Sequence, residues 1–117
     1  MNISDILGKT FTKINVSDDT INFLSSDGRK YVMYHDQDCC EHVYIEDICG
    51  NIDDIKNSPI LQAEESSSSN GENLKGDESF TWTFYKIATI KGSLTIRWYG
   101  SSNGYYSEGV SFEEVMP

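Results

Sequence analysis

The sequence predicts an α+β domain, built as a mostly antiparallel β-sheet of about six or seven strands with one short helix near residues 51–57. Three observations lead to this fold class. Apolar and polar residues alternate through the C-terminal third, Asp-Gly and Asn-Gly pairs separate short strand-like runs, and only one clear segment has helical spacing. With 117 residues, the chain is expected to form a single domain, 1–117, around one modest hydrophobic core.

The N-terminal half is predicted to consist of strands joined by tight turns. Strand signals begin at residue 10, and a hairpin is expected where residues 21–24 and 30–34 flank Asp27-Gly28. That turn needs a positive φ, which glycine adopts readily. The next strand is expected to run through residues 43–46, so residues 35–42 are predicted to lie at the tip of a second hairpin.

The predicted helix covers residues 51–57. Asn51 is a suitable N-cap, and Asp53 and Asp54 lie in the first turn, where negative charge favours the helix dipole. Pro59 follows shortly after and is expected to end the helix.

The C-terminal half is predicted to contain a loop followed by a meander. Residues at about 65–78 are polar and of low complexity, which is typical of a flexible loop inserted within the domain. The alternating segments at 81–90, 93–99 and 106–112 then predict a C-terminal, three-stranded antiparallel meander. Trp82 and Phe84 are expected to face the core.

The charge of the chain limits its partners. It has 19 acidic and 9 basic side chains, a formal net charge of -10. Such a surface repels nucleic acid backbones and anionic membranes, whereas a basic protein surface attracts it. Alternatively, the acidity of the chain only keeps a small protein soluble. No apolar run reaches membrane-spanning length and the N-terminus lacks the basic region of a secretory signal, so we expect a cytoplasmic protein with reduced cysteines.

Both histidines and all three cysteines fall between residues 35 and 49. Thiolates and imidazoles are zinc ligands, and a hairpin tip brings such side chains together at little entropic cost. The predicted metal ligands are His35, Cys39 and Cys40. The fourth position is left open among His42, Cys49, a carboxylate of the same segment and water. Neighbouring acids such as Glu41 favour a cation and can orient an imidazole by hydrogen bonding.

This segment has two other interpretations. The cysteines could be small apolar side chains with His35 as a solvated loop residue. Alternatively, Cys40 could be a nucleophile with His35 or His42 as its base. The carboxylates of the segment disfavour a thiolate, and no oxyanion-hole motif is visible, so the chain is not expected to be an enzyme.

Several motifs together resemble a family of small phage and prophage proteins, over roughly residues 10–113. They are His-Asp-Gln-Asp-Cys-Cys-Glu at 35–41, Ser-Pro-Ile-Leu at 58–61, Trp-Thr-Phe-Tyr-Lys at 82–86 and Ile-Arg-Trp-Tyr-Gly at 96–100. Within that family the chain resembles zinc-containing inhibitors of type II CRISPR systems. The resemblance implies a structural zinc held by His35, Cys39 and Cys40, rather than by His42 or Cys49.

The same resemblance implies a partner and a mode of action. The protein would act in the cytoplasm of the host bacterium, bind a type II CRISPR effector nuclease and block loading of target DNA. Its acidity is compatible with the positively charged channel of such a nuclease. Candidate partner contacts, chosen for charge and expected exposure, are Asp53, Asp54, Glu64 and Glu65. Alternative functions are a phage–host binding module directed at a different host protein and a small zinc or thiol enzyme.

Overall fold

Eight strands dominate the structure, a computed structural model that describes residues 1–69, 73 and 76–116. The strands form two four-stranded sheets in which every pair of neighbours is antiparallel. In chain order the strands are β1 (Phe11–Val16), β2 (Thr20–Ser25), β3 (Lys30–Tyr34), β4 (His42–Cys49), β5 (Gln62–Ser68), β6 (Ser79–Thr89), β7 (Gly92–Ser102) and β8 (Ser111–Val115). Two single turns of 3₁₀ helix, Ile3–Ile6 and Ile52–Ile55, complete the regular structure of the described residues.

The first sheet has the strand order β1-β2-β3-β8. The predicted hairpin at Asp27-Gly28 is confirmed: β2 and β3 pair with Leu24 opposite Lys30, and Gly28 has a φ of 87°. Asp27 supports the turn by accepting a hydrogen bond from the backbone N–H of Arg29 at 3.1 Å. Here local sequence determines both the turn and the register.

The second sheet has the order β4-β7-β6-β5. Its centre is the long hairpin of β6 and β7, which pair over their whole length and are joined at Ile90 and Lys91. The predicted hairpin in this region is therefore confirmed. Ile90 lies in the turn and is exposed.

Both sheets bury one face in a common core. Buried residues alternate with exposed or partly exposed ones in β2 and β3, as expected for sheets with one covered face. The core members are Ile3, Ile6, Phe11, Ile21, Phe23, Tyr31, Met33, Val43, Ile55, Ile60, Ala63, Tyr85, Ile87, Leu94, Ile96, Trp98 and Phe112. Because this set draws on both sheets, the sheets stabilise each other through one continuous apolar cluster.

The α+β prediction is wrong, because the protein is nearly all β. The helix predicted at 51–57 is a single 3₁₀ turn, Ile52–Ile55, capped by Asn51, whose side chain accepts from the backbone N–H of Asp53 at 3.0 Å. It ends at Ile55 because Lys56 is extended, with a φ of -101° and a ψ of 151°, and Asn57 then adopts a positive φ of 62°. No helix in the part of the chain that the structure describes is long and apolar enough to cross a membrane.

The predicted connections of two strands are also wrong. β3 and β4 are not a hairpin, since β3 pairs with β2 and β8 whereas β4 pairs with β7 in the other sheet. β8 does not extend a meander, because it leaves β7 and joins β3. Alternation predicts where a strand lies but not which strand will be its neighbour.

The polar segment after residue 63 is more regular than its composition suggests. β5 includes Glu64, Glu65 and three serines, all paired with β6. Pairing uses backbone N–H and C=O groups, which any of these residues supplies. Beyond the strand, Asp77 accepts a hydrogen bond from the Tyr99 hydroxyl at 2.8 Å. Residues 70–72 and 74–75 of the predicted loop at 65–78 lie outside the described residues.

Candidate functional site

The chain passes between the two sheets at two neighbouring places, which we call the crossover site. Residues 35–41 lead from β3 in the first sheet to β4 in the second, and residues 103–110 lead from β7 back to β8. The pairings Tyr34 with Ser111 and His42 with Ser101 bring the two crossings side by side. The motif singled out in the sequence, 35–41, is therefore one half of a two-part site.

His35 joins the two crossings. Its side chain is 4% exposed, its Nδ1 lies 2.6 Å from the carbonyl oxygen of Gly109, and its Nε2 lies 3.1 Å from Glu41 Oε2. Both neighbours are oxygen acceptors. The imidazole therefore links the first crossing, through Glu41, to the second crossing, through Gly109.

Glu41 organises the first crossing from within. Its side chain is completely buried. Oε1 accepts from the backbone N–H of Cys39 at 2.8 Å and from the Gln37 side chain at 2.9 Å, while Oε2 accepts from His35 and from the backbone N–H of Asp38 at 3.2 Å. Gln37 also donates to the Glu41 carbonyl oxygen at 2.7 Å. One carboxylate thereby fixes the backbone of the whole loop.

These contacts determine the charge of Glu41. Burial opposes ionisation, but the hydrogen bonds from the backbone of Cys39 and Asp38 and from His35 outweigh it, and the pKa falls from 4.5 to about 2. Glu41 is therefore a carboxylate at neutral pH, with donors on both oxygens.

The lowered pKa of Glu41 predicts a pH dependence of stability. Because the carboxylate is favoured in the folded state, its contribution is complete above pH 4.5 and is lost as the pH falls toward 2. We expect Tm to fall over this interval more steeply for the parent protein than for Glu41→Gln, which has no carboxyl at this position to titrate. Equal slopes in thermal melts recorded from pH 5 to pH 2 would contradict the assignment.

The second crossing is fixed by a second buried acid, Glu108, which is 8% exposed. Its carboxylate accepts from Thr81 Oγ1 at 2.8 Å and from Ser102 Oγ at 2.5 Å. Gly100 in β7 lies directly against it, since a Cβ built at that position would be 2.5 Å from the Glu108 carbonyl oxygen. None of these contacts with Glu108 was expected from the sequence. The one available signal was the position of Glu108 shortly after an Asn-Gly turn.

The outer surface of the crossover site is polar, acidic and open. An open cavity of about 450 Å³ lies between the crossings and is lined by Asp36, Asp38, Ser107 and Ser111 among others. Asp36 and Asp38 are exposed. Tyr105, in the second crossing, is 88% exposed. Exposed carboxylates and an aromatic side chain are thus held on a backbone that buried groups keep in place.

The predicted zinc ligands occupy this loop but are engaged in other ways. The sulfurs of Cys39 and Cys40 are bonded to each other as a disulfide between adjacent residues, and both are exposed. Zinc needs thiolates and a free imidazole nitrogen, whereas both nitrogens of His35 face oxygen acceptors. In this arrangement the three residues do not fit a zinc site.

Two candidates for the fourth ligand, His42 and Cys49, lie farther along the chain. His42 is exposed and packs its ring 4.7 Å from that of Tyr44. Cys49 is a free thiol at the far end of β4, where a hydrogen bond to Asp47 raises its pKa. Within residues 1–69, 73 and 76–116, no three His, Cys, Asp or Glu side chains are grouped so as to hold a metal ion. Zinc binding stays a prediction.

The four predicted partner contacts lie outside the loop at 35–41. Asp53 forms an ion pair with Lys56 at 2.8 Å, and the Asp54 carbonyl oxygen accepts from the Thr89 hydroxyl. The pKa of Asp53 is lowered by the hydrogen bond and the charge of Lys56. Asp53 is therefore paired locally at the 3₁₀ turn Ile52–Ile55, and the backbone of Asp54 ties that turn to β6.

The other two predicted contacts lie on β5. Glu64 is exposed and faces Lys86 across the strand pair. Glu65 accepts from the Tyr85 hydroxyl at 3.0 Å. Burial, together with the charge of Glu65, raises the pKa of Tyr85. The same hydroxyl lies 3.5 Å from the carbonyl oxygen of Val110, which links Glu65 to the second crossing.

Comparison with known proteins gives a family but no characterised relative. A family model described as a domain of unknown function, DUF7448, matches residues 4–112. No curated protein and no solved structure matches the chain. The matched region contains both crossings of the site and all of the strands except the end of β8. Since the match spans nearly the entire sequence, the chain belongs to the DUF7448 family.

Proposed function

We propose that this chain is a phage-encoded binding module that inhibits a type II CRISPR effector nuclease by occupying a basic surface with its crossover site. The observation that carries the proposal is the buried carboxylate of Glu41. It holds an exposed acidic loop in one shape through hydrogen bonds to two backbone amides and two side chains. A preorganised loop loses little conformational entropy on binding, so more of its interaction energy contributes to affinity.

The chemistry of the site favours binding over catalysis. Glu41 and His35 are the groups that could move protons, but each is saturated by contacts within the protein. Cys39 and Cys40, the potential nucleophiles of the loop, are bonded to each other. The groups left facing solvent are the carboxylates of Asp36 and Asp38 and the phenol of Tyr105, which suit recognition of a basic surface.

The type of partner follows from charge and from the resemblance to phage inhibitors of CRISPR systems. The chain carries a formal net charge of -10, which steers it toward basic surfaces and away from nucleic acid. An RNA-guided nuclease holds its heteroduplex in a positively charged channel. An acidic protein seated at that channel would exclude target DNA by occupancy and would need no reaction.

A charge-neutralising variant tests the proposal. Asp36→Asn/Asp38→Asn is expected to raise the concentration needed for half-maximal inhibition of target DNA binding by roughly fivefold to tenfold, because two acidic contacts are lost. The measurement is a titration of purified protein against guide-loaded nuclease and labelled target DNA. Added salt should weaken the parent more than the variant.

The matched control is Asp18→Asn/Asp19→Asn, which removes the same charge from an exposed turn between β1 and β2. Its inhibition should stay within about twofold of the parent if local contacts, rather than net charge, carry the effect. Equal loss in both variants would reassign the effect to net charge. A parent protein that neither binds nor inhibits the nuclease would overturn the proposal, and a search for a different host partner would then follow.

A further inference from the structure

The tip of the first crossing holds two adjacent, exposed cysteines whose sulfurs are bonded to each other. Exposure leaves this disulfide open to attack by small thiols, since exchange requires access to a sulfur atom. The third cysteine, Cys49, lies at the other end of β4 and has its own hydrogen bond to Asp47. The pair can therefore open and close without exchange with another cysteine of the chain.

The base of the loop does not depend on this disulfide for its shape. The backbone N–H groups of Asp38 and Cys39 are held by Glu41, and the Gln37 side chain bridges to the carbonyl oxygens of Cys39 and Glu41 at 3.3 and 2.7 Å. These contacts surround the pair and involve neither sulfur atom. Opening the disulfide consequently frees two side chains while the base of the loop keeps its anchors.

We propose that Cys39 and Cys40 form a reversible dithiol–disulfide pair that sets the shape and mobility of the loop tip, rather than a pair of metal ligands. The inference follows from the misfit to zinc: the sulfurs are bonded to each other, and His35 is held by Glu41 and Gly109. In the disulfide form the side chains close a ring with the intervening peptide. In the dithiol form both side chains rotate and present two S–H groups.

The reaction requires a small thiol as reductant. Its thiolate attacks one sulfur and forms a mixed disulfide, while the other cysteine leaves as a thiolate and takes up a proton. A second thiol then attacks the mixed disulfide at the small-molecule sulfur. The products are two protein thiols and one small-molecule disulfide, so two electrons pass from the two small thiols to the protein. Oxidation by the same small disulfide reverses the steps.

The pair lies on the proposed binding face between Asp38 and Glu41, so its use as a regulator of binding rests on the function proposed above. The thiol–disulfide chemistry of the pair does not depend on that function. Thiol counting and amide exchange report on the pair in the isolated protein, whereas nuclease inhibition reports on the binding face. Failure of one therefore leaves the other measurable.

The experiment uses Cys49→Ser, which removes the free thiol and leaves the pair as the only cysteines. After equilibration with glutathione disulfide, N-ethylmaleimide is expected to label no cysteine, and after glutathione it is expected to label two, as counted by intact mass. The cycle should repeat without covalent dimers. Hydrogen exchange at the amides of residues 40 and 41 is expected to quicken on reduction, while the anchored amides of residues 38 and 39 and those of the core strands stay unchanged.

Three results would overturn the proposal. The first is two labelled cysteines after equilibration with excess glutathione disulfide. The second is co-purification of one zinc per chain that must be chelated before either cysteine reacts. The third is identical amide exchange in the two redox forms. The control is Cys39→Ser/Cys40→Ser in the same background. Its amide hydrogen exchange should match that of the reduced form and should not change with the redox buffer.

Discussion

Glu41→Gln is expected to lower Tm by roughly 10 °C, an effect far larger than that of an exposed charge substitution. The carboxylate accepts four hydrogen bonds, two on each oxygen. A carboxamide has one oxygen and one NH₂ group, so two of the four donors would face another donor in a buried site. His35 would also lose its hydrogen bond to a buried carboxylate. Thermal unfolding followed by circular dichroism at pH 7 measures the loss.

Glu64→Gln is the matched control, because the same chemical change falls on an exposed side chain of β5. Its Tm is expected to stay within about 2 °C of the parent, as is usual for surface substitutions. We also expect Glu41→Gln to lose inhibition of the nuclease at temperatures where it remains folded, since the acidic loop loses its anchor. A Glu41→Gln protein with the parent Tm would show that the buried carboxylate does not organise the loop.

Gly100→Ala is expected to destabilise the protein by about 3 kcal/mol. A Cβ at this position would lie 2.5 Å from the carbonyl oxygen of Glu108 and 2.9 Å from its Cβ. These are backbone and stem atoms that cannot rotate away, so the second crossing must move and its contacts to Thr81 and Ser102 must weaken. Urea denaturation gives the free energy of unfolding directly.

Gly109→Ala makes the same substitution within the second crossing, where space is available. Its nearest neighbour would be Ser107 Oγ at 3.6 Å, an ordinary contact. The stability change is expected to stay within about 0.5 kcal/mol. Comparable losses in the two variants would mean that the close approach of β7 to the second crossing is not what makes Gly100 necessary.

Local signals predicted local structure well. The Asp27-Gly28 hairpin and the hairpin of β6 and β7 were both correct, because a turn residue and the alternation beside it determine each one. The helix at 51–57 was wrong because a cap and two isoleucines suffice for a single turn, while length depends on residues such as Asn57.

In β6 aromatic residues occupy both faces: Tyr85 lies in the shared core, whereas Trp82 packs edge-on to Tyr99 at 4.8 Å. Periodicity could not choose between these faces.

The sequence predicted which segment forms the first half of the site but not how the residues of the site are arranged in space. The motif at 35–41 pointed to a special loop, in which a carboxylate was expected to orient an imidazole by accepting its hydrogen bond. The second crossing was missed because Gly109 and Glu108 reach the site only through the pairing of β8 with β3, which no local pattern specifies. Among the predicted acidic contacts, Asp53 pairs with the nearby Lys56, whereas Glu65 and the Asp54 backbone bind side chains that are distant in sequence.

The strands that flank the crossover site are expected to pair late in folding. β6 and β7 are neighbours in sequence and close over a short turn, whereas β3 and β8 come from distant parts of the chain. Distant pairings are slow because loop closure costs entropy before the new contacts form, and all-β domains accordingly fold in about milliseconds to seconds. We expect β8 to dock onto β3 of the first sheet after the second sheet has assembled, with the hydrogen bond between His35 and Gly109 forming at that step. A partly folded chain would then expose β3 as an unpaired edge and would have no finished acidic loop with which to recognise a partner.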